Sequence, residues 1–238
     1  MKFYDLHVHS AFSSGKSSIE QIAEAAKHLG YAGFCFSAYY SGDDQIKQLQ
    51  AEIEKVKAKV KIEIYLGFEA RDAKELERLR QIRRRFDTLL VHGGDLKMNR
   101  LAVETPEVDI LTHPELNRND SGMNDVLMRL AAKNNVAIEI NVGQVVSSSK
   151  GTRARIMKNV AANVRLAKRC HAPVVVCSGA LSHWEIKDPQ VLVSFANTLG
   201  LDMKDAKDSL SKIPETGLKE SKERKGLRWI MPGVKVVK

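Results

Sequence analysis

A chain of 238 residues with 43% hydrophobic and 28% charged side chains and only six prolines has the composition of a globular α/β domain, and no apolar run approaches the ~20 residues of a membrane helix. Three cysteines, Cys35, Cys170 and Cys177, are odd in number and lack a CxxC pair, which excludes a disulfide framework and reads as buried reduced thiols. The formal net charge of +9 is local: residues 150–171 carry seven basic and no acidic residues, residues 212–238 carry eight basic against three acidic, and the remainder of the chain is net acidic. Such an uneven distribution fits a polyanion-binding surface better than general solubility charge.

Short β-rich runs alternate with longer helical patterns along the chain, the signature of βα units on a parallel sheet. Strands are predicted at residues 2–6, 32–36, 61–68, 88–91, 109–111, 136–140 and 174–177. Helical stretches begin near Ser18, Asp44, Asp72, Lys97, Gly122 and Thr152, with Ser17 or Ser18, Asp72 and Thr152 as N-caps. After Pro189 two more helical patterns follow, at residues 191–199 and 203–210. The predicted organisation is a TIM-like α/β barrel of about seven parallel strands over residues 1–211, with residues 212–238 a basic, loosely folded C-terminal extension. An open doubly wound sheet is the alternative, but no glycine-rich dinucleotide turn follows any strand. Because the chain starts almost directly with a strand, no signal peptide is expected and a cytoplasmic location follows.

The barrel reading also accounts for where the polar residues fall. His7 and His9, Ser37, Glu69, His92, His113, Asn141 and Ser178 each lie at or just past the end of a predicted strand, the face on which barrels place their chemistry. In Asp5-Leu6-His7-Val8-His9-Ser10 the two imidazoles share one side of the strand, because side chains alternate with a period of two. With Glu69, His92 and His113 they form a candidate set of nitrogen and oxygen ligands for divalent metal.

These segments, with Gly67-Phe68-Glu69, Val91-His92, Leu111-Thr112-His113-Pro114 and Ile138-Glu139-Ile140-Asn141, resemble the successive motifs of the polymerase and histidinol phosphatase (PHP) superfamily of metallohydrolase barrels. Two motifs are broken. The superfamily's Thr-Asp-His would fall at Ser37-Ala38-Tyr39, and its final Ser-Asp-Ala-His at Ser178-Gly179-Ala180-Leu181, with His183 two residues too far along to take the ligand's place in the same geometry. A full trinuclear site is therefore not expected, and a residual ion at His7, His9 and Glu69 stays open beside a plain hydrogen-bonded barrel mouth.

The departures resemble something more specific. Val108-Asp109-Ile110-Leu111-Thr112-His113-Pro114, the run into Val136-Ala137-Ile138-Glu139-Ile140-Asn141, and Ser178-Gly179-Ala180 followed by Trp184 and Asp188-Pro189 are similar to the archaeal ribonuclease P protein component 3 family, as is the closing Ile230-Met231-Pro232-Gly233-Val234. The resemblance covers nearly the whole chain. It implies a protein subunit that binds and stabilises the catalytic RNA of ribonuclease P for removal of the 5′ leader from precursor tRNA, with catalytic groups and the need for Mg2+ in the RNA. The partners it implies are ribonuclease P RNA, precursor tRNA and the other proteins of the complex, especially component 2. A stand-alone PHP-type phosphoesterase is the competing reading.

For RNA contacts the candidates are Lys150, Arg153, Arg155, Lys158, Arg165, Lys168 and Arg169 in the first basic segment and Lys222, Arg224, Lys225 and Arg228 in the second. Helical spacing places Ile156, Val160, Val164 and Ala167 on one side and Arg155, Lys158, Arg165 and Arg169 on the other. Arg83-Arg84-Arg85, offset by Glu75 and Glu77, reads equally as a solvated face or an RNA contact. Aromatic content of 6% offers no sheet platform for bases, so contact with backbone and shape is expected.

Overall fold

A computed structural model describes residues 1–226, 229–231 and 234–235. In chain order the elements are β1 (Tyr4–His9), α1 (Ile19–His28), β2 (Gly33–Ala38), α2 (Asp43–Val60), β3 (Glu63–Ala70), α3 (Ala73–Gln81), β4 (Thr88–His92), α4 (Leu96–Glu104), β5 (Ile110–Thr112), α5 (Asp125–Asn134), β6 (Ala137–Asn141), α6 (Val142–Ser147), α7 (Lys150–Cys170) and β7 (Val174–Cys177). Then come α8 (Pro189–Thr198), α9 (Met203–Asp208), α10 (Lys212–Arg224) and the short strands β8 (Trp229–Met231) and β9 (Val234–Lys235). Strands β1 to β7 pair in parallel in chain order, the arrangement expected of a TIM-like barrel. Each predicted strand is present, but β1, β2 and β3 extend two or three residues beyond the expected end, because residues such as His7, His9 and Glu69 belong to the strands themselves.

Alternation within the strands divides the core in two. Outward-facing Phe34, Phe36, Phe68, Leu89 and Val91 pack beneath the helices, and each such side chain taken from water stabilises the fold by about 2 kcal/mol. Leu6, Cys35, Tyr65, Leu90, Ile110, Ala137 and Val175 form a smaller cluster inside the ring. All three cysteines are free; Cys35 and Cys177 are buried, and Cys170 is only half-buried, at the end of α7.

The ring does not close by pairing β1 with β7 directly. At the upper end the chain past β7 bridges the gap: Gly179 N donates to His7 O at 3.1 Å and His9 N to Ala180 O at 2.8 Å. At the lower end Tyr4 N donates to Leu210 O at 2.8 Å and Val176 N to Ser209 O at 3.4 Å. The Asp5 carboxylate, fully buried, accepts from Ser178 N at 3.2 Å. Ser178-Gly179-Ala180, where metal ligands were missing from the expected motif, is thus the upper half of the barrel seam.

Helix starts follow local capping chemistry. Ser18 accepts from Gln21 N while Gln21 reaches back to the Ser18 N–H, a reciprocal box, and Asp72 caps α3 through Glu75 N. Thr152 is not a cap: α7 begins earlier, at Lys150. The C-terminal segment departs further from expectation. Instead of a loose extension, α10 lies against β1 and β7 with Pro214, Leu218, Ser221 and Arg224 buried, and Arg84 holds the chain beyond it through Arg224 O, Gly226 O and Trp229 O.

The barrel mouth and the basic helix

Each polar mouth residue continues the inward register of an apolar one. Two residues past Cys35, Gly67, Leu90, Ile110 and Ala137 stand Ser37, Glu69, His92, Thr112 and Glu139, so one layer of carboxylates and imidazoles rests on the layer of apolar side chains. Strand β1 joins that layer through a bulge: Asp5 pairs with Phe34 and Val8 with Phe36, leaving Leu6 and His7 opposite a single residue. The bulge keeps Leu6 in the inner apolar cluster and still delivers His7 and His9 to the mouth.

The cluster is dense and, apart from the half-exposed His92, buried. His7 Nδ1 lies 2.7 Å from Glu139 Oε1, and His7 Nε2 lies 3.0 Å from His9 Nε2. His92 Nδ1 is 3.3 Å from Glu69 Oε1 and 3.1 Å from His113 Nε2, while Thr112 Oγ1 donates to Glu69 at 2.9 Å. Glu139 also accepts from His113 N at 3.1 Å and from Asn141 Nδ2 at 3.2 Å. His113 itself holds a φ of 29°, a left-handed conformation that costs a non-glycine residue energy and swings its ring onto this cluster.

Burial drives His7 and Glu139 towards their neutral forms, yet their contact reverses that tendency. The His7 pKa rises to about 9 through the charge and hydrogen bond of Glu139, and the Glu139 carboxyl is held well below its ordinary range by His7 and His113. His9 is pushed the other way, to about 4, by burial and then by the neighbouring His7 charge. At neutral pH the mouth therefore holds a His7–Glu139 ion pair, and the His7 Nε2–H is free to donate to a neutral His9. Glu69 is kept ionised by its histidine neighbours against the opposing effect of burial.

Three overlapping ligand sets converge here: His7, His9 and Glu69; His7, His113 and Glu139; Glu69, His92 and His113, each with its donor atoms within 4.8 Å of one another. Two imidazole nitrogens about 3 Å apart are spaced close to what two ligands at ~2.1 Å from one tetrahedral ion present, so this donor set fits a divalent metal. Glu139 was not among the sequence candidates. Its signal was an acidic residue inside an otherwise apolar strand, Val136-Ala137-Ile138-Glu139-Ile140. Of the broken motif, Ser37 is buried with its hydroxyl unpartnered, Tyr39 stacks under the Arg71 guanidinium at 4.5 Å, and His183 hydrogen-bonds Ser17 at 2.8 Å, away from the cluster.

The basic candidates separate into free and committed groups. On α7 the apolar side is buried as its spacing predicts, and Lys150, Lys158 and Arg165 are exposed with no side-chain partner among the described residues. Arg155 touches only the Asn119 amide, at 3.3 Å. By contrast, Arg153 donates to the carbonyls of Val145, Val146 and Ser148 at the end of α6, Lys168 pairs with Asp202 at 3.0 Å, and Arg169 pairs with Asp125. The helix α5 packed beside α7 adds exposed, unpaired Arg129 and Lys133, which the charge pattern of the sequence does not single out because they stand outside the basic run.

The described C-terminal candidates already have partners. Arg224 is buried and reaches Asp109 at 3.4 Å, Lys225 pairs with Asp87 at 2.6 Å, and Lys222 lies over the Tyr65 ring and 4.0 Å from Glu63; Arg228 lies outside the described residues. The arginine triplet is also engaged: Arg83 is buried against Asp109, the exposed Arg84 holds the tail, and the half-buried Arg85 pairs with Asp43 at 2.6 Å.

A seven-stranded parallel barrel with a histidine and carboxylate layer at the C-terminal ends of its strands defines a TIM-like α/β barrel. In accord with that class, the fold aligns with a Listeria monocytogenes protein assigned as a histidinol phosphatase at a TM-score of 0.55, covering 77% of this chain and 97% of that one, although at 12% identity the likeness is one of fold alone. A much closer fit is a chain in a cryo-EM structure of archaeal ribonuclease P with mature tRNA, with a TM-score of 0.81, 29% identity and coverage of 99% and 98%. The family model described as RNase P subunit p30 matches residues 2–226, and ribonuclease P protein component 3 of Methanosarcina mazei is 33% identical over 239 residues, covering 99% of this chain and 96% of the relative. The chain belongs to the ribonuclease P subunit p30 family.

Proposed function

We propose that this chain binds ribonuclease P RNA through the outer faces of α7 and α5. As a member of its family the chain is a protein subunit of archaeal ribonuclease P, the ribonucleoprotein endoribonuclease that matures the 5′ end of tRNA. The observation that carries the RNA-binding reading is the set of exposed cations left without carboxylates: Lys150, Arg155, Lys158 and Arg165 on α7, with Arg129 and Lys133 beside them. Unpaired cations displace condensed counterions from phosphates without first breaking internal ion pairs, which is where sequence-independent affinity for RNA originates. Lys168, Arg169, Lys222, Arg224 and Lys225 are already engaged and contribute less. Catalysis then rests with the RNA and its Mg2+, and the further partners are precursor tRNA and the other proteins of the complex, component 2 among them. The same reading puts the chain in the cytoplasm with that RNA. No helix of the described residues is long and apolar enough to cross a membrane.

The test is a salt titration of binding to ribonuclease P RNA. Replacing Lys158 and Arg165 with Glu should reduce the slope of log K against log salt by about 2, close to one unit for each phosphate no longer neutralised. An unchanged slope removes these helices from the interface.

A second reading rests on the mouth itself. His7, His9, Glu69, His92, His113 and Glu139 would hold a divalent ion, which when bound supplies a Lewis acid beside the phosphate of a small ester. Metal content after purification without chelator, together with hydrolysis of a phosphomonoester by the isolated chain, separates this activity from the subunit role. Metal without turnover would make the ion structural.

A further inference from the structure

Trp184 is the most exposed large apolar side chain among the described residues, at 82%, so it contributes nothing to the core, and neither the mouth cluster nor the basic helices make use of it. It is nevertheless held in place. Its indole lies against the His183 ring, centroids 4.5 Å apart. His183 is fixed by Ser17, whose hydroxyl accepts from His183 N at 3.0 Å and meets Nδ1 at 2.8 Å. Around it the loops after β1 and β7 are tied together, with Lys16 N donating to Leu181 O at 2.7 Å and Leu181 N donating to Glu185 Oε2 at 2.8 Å. The indole thus leans on a fixed imidazole, the two rings 40° apart, and is otherwise open to solvent.

We infer that Trp184 is a stacking platform for an unpaired RNA nucleotide at the rim of the barrel mouth. The ammonium groups of Lys16 and Lys187 have no side-chain partner among the described residues and stand in the two loop segments that carry the platform, where they would meet the phosphates on either side of a stacked base. Charge next to an isolated indole suits a nucleotide better than a protein, since the cores of protein interfaces are depleted of charged residues and Lys16, Glu185 and Lys187 all stand in the segments that hold this one. Every base has a π face, so the platform is indifferent to sequence and selects single strands over duplex. Lys150, at the start of α7 after the strand next to β7, extends positive charge along the same rim. The inference rests on the RNA-binding reading above and adds a contact to bases that the low aromatic content of the sequence concealed.

The chain has two tryptophans, so a Trp229→Phe background makes Trp184 the sole indole reporter. Titrating this protein with 5′-labelled oligouridylate and oligoadenylate of about 12 nucleotides, and with an RNA duplex of the same length, while reading indole fluorescence and label anisotropy together, gives the test. Single strands should quench Trp184 and the duplex should not. Trp184→Ala and Trp184→Leu, both expected to fold because the site is exposed, should bind single strands about ten-fold more weakly. Rising anisotropy without quenching, or a Leu variant that binds like the parent, overturns the platform and leaves the α7 surface standing. If neither oligonucleotides nor ribonuclease P RNA change the anisotropy, the RNA-binding reading fails together with it.

Discussion

Gly179 offers a stringent probe of the seam. Its φ is +61°, and a Cβ placed there would lie 2.3 Å from Asn141 Oδ1 and 2.6 Å from Nδ2. In a Gly179→Ala variant the left-handed backbone alone costs roughly 1 kcal/mol. Asn141 must also move, and it caps α6 by accepting from Gln144 N at 2.9 Å while donating to the Glu139 carboxylate at 3.2 Å. Losing the cap costs about 1 kcal/mol and losing the charged hydrogen bond about 2, so the expected destabilisation is about 4 kcal/mol. Gly30→Ala is the matched control, with a φ of +81° and nothing within 4 Å of the added methyl, so it should lose only the backbone component. Urea unfolding followed by circular dichroism measures both, and midpoints that shift equally would refute the assignment of Ser178-Gly179-Ala180 as a packed seam.

Glu115 is buried with both carboxylate oxygens unpartnered, and burial raises its pKa from 4.5 to about 8. A folded-state pKa above the unfolded one gives stability that is intact below pH ~4.5 and is lost as pH rises through 8, so Glu115→Gln should match the parent at pH ~5 and exceed it by up to about 5 kcal/mol at pH ~8.5. Parallel stability-against-pH curves for the two proteins would contradict this. At the barrel floor, Asp109 neutralises both buried Arg83 and Arg224 and accepts from Leu89 N at 2.7 Å. Asp109→Ala should cost about 3 kcal/mol or more in chemical denaturation, because two guanidinium groups lose their counterion; a loss under about 1 kcal/mol would mean that water reaches them freely.

Much of the barrel was legible in the chain because buried parallel strands read as short apolar runs, and the runs at 88–91 and 174–177 mark β4 and β7 almost to the residue. The strand ends were misplaced where function intrudes: a hydrophobic pattern stops at Leu6 or Phe68, whereas the strands continue through His9 and Ala70. The mouth residues were found through their position after those runs, but Glu139 was missed because it sits before the end of its run. The charge map misled for a different reason. Nothing in the local sequence distinguishes Arg165, which is free, from Arg224, whose partner Asp109 is 115 residues away, so pairing over such distances is visible only once the chain is folded. Likewise, the bulge opposite Cys35 and the contact of Leu210 with Tyr4 have no periodic signature.

That last contact has a consequence for the order in which the protein can be made. Synthesis delivers β1 before the rest of the barrel, yet its lower edge donates a hydrogen bond to the Leu210 carbonyl and its upper edge one to the Ala180 carbonyl. Until those residues leave the ribosome the first strand has only β2 beside it, and the sheet is an open ribbon with one unsatisfied border. Closure therefore comes late, at a high cost in loop entropy, and the lower half of the seam is complete only after Leu210 has emerged. A chain halted before Leu210 would carry every mouth residue and still present a strand edge for wrong pairings, so for this barrel a segment made long afterwards guards the first strand.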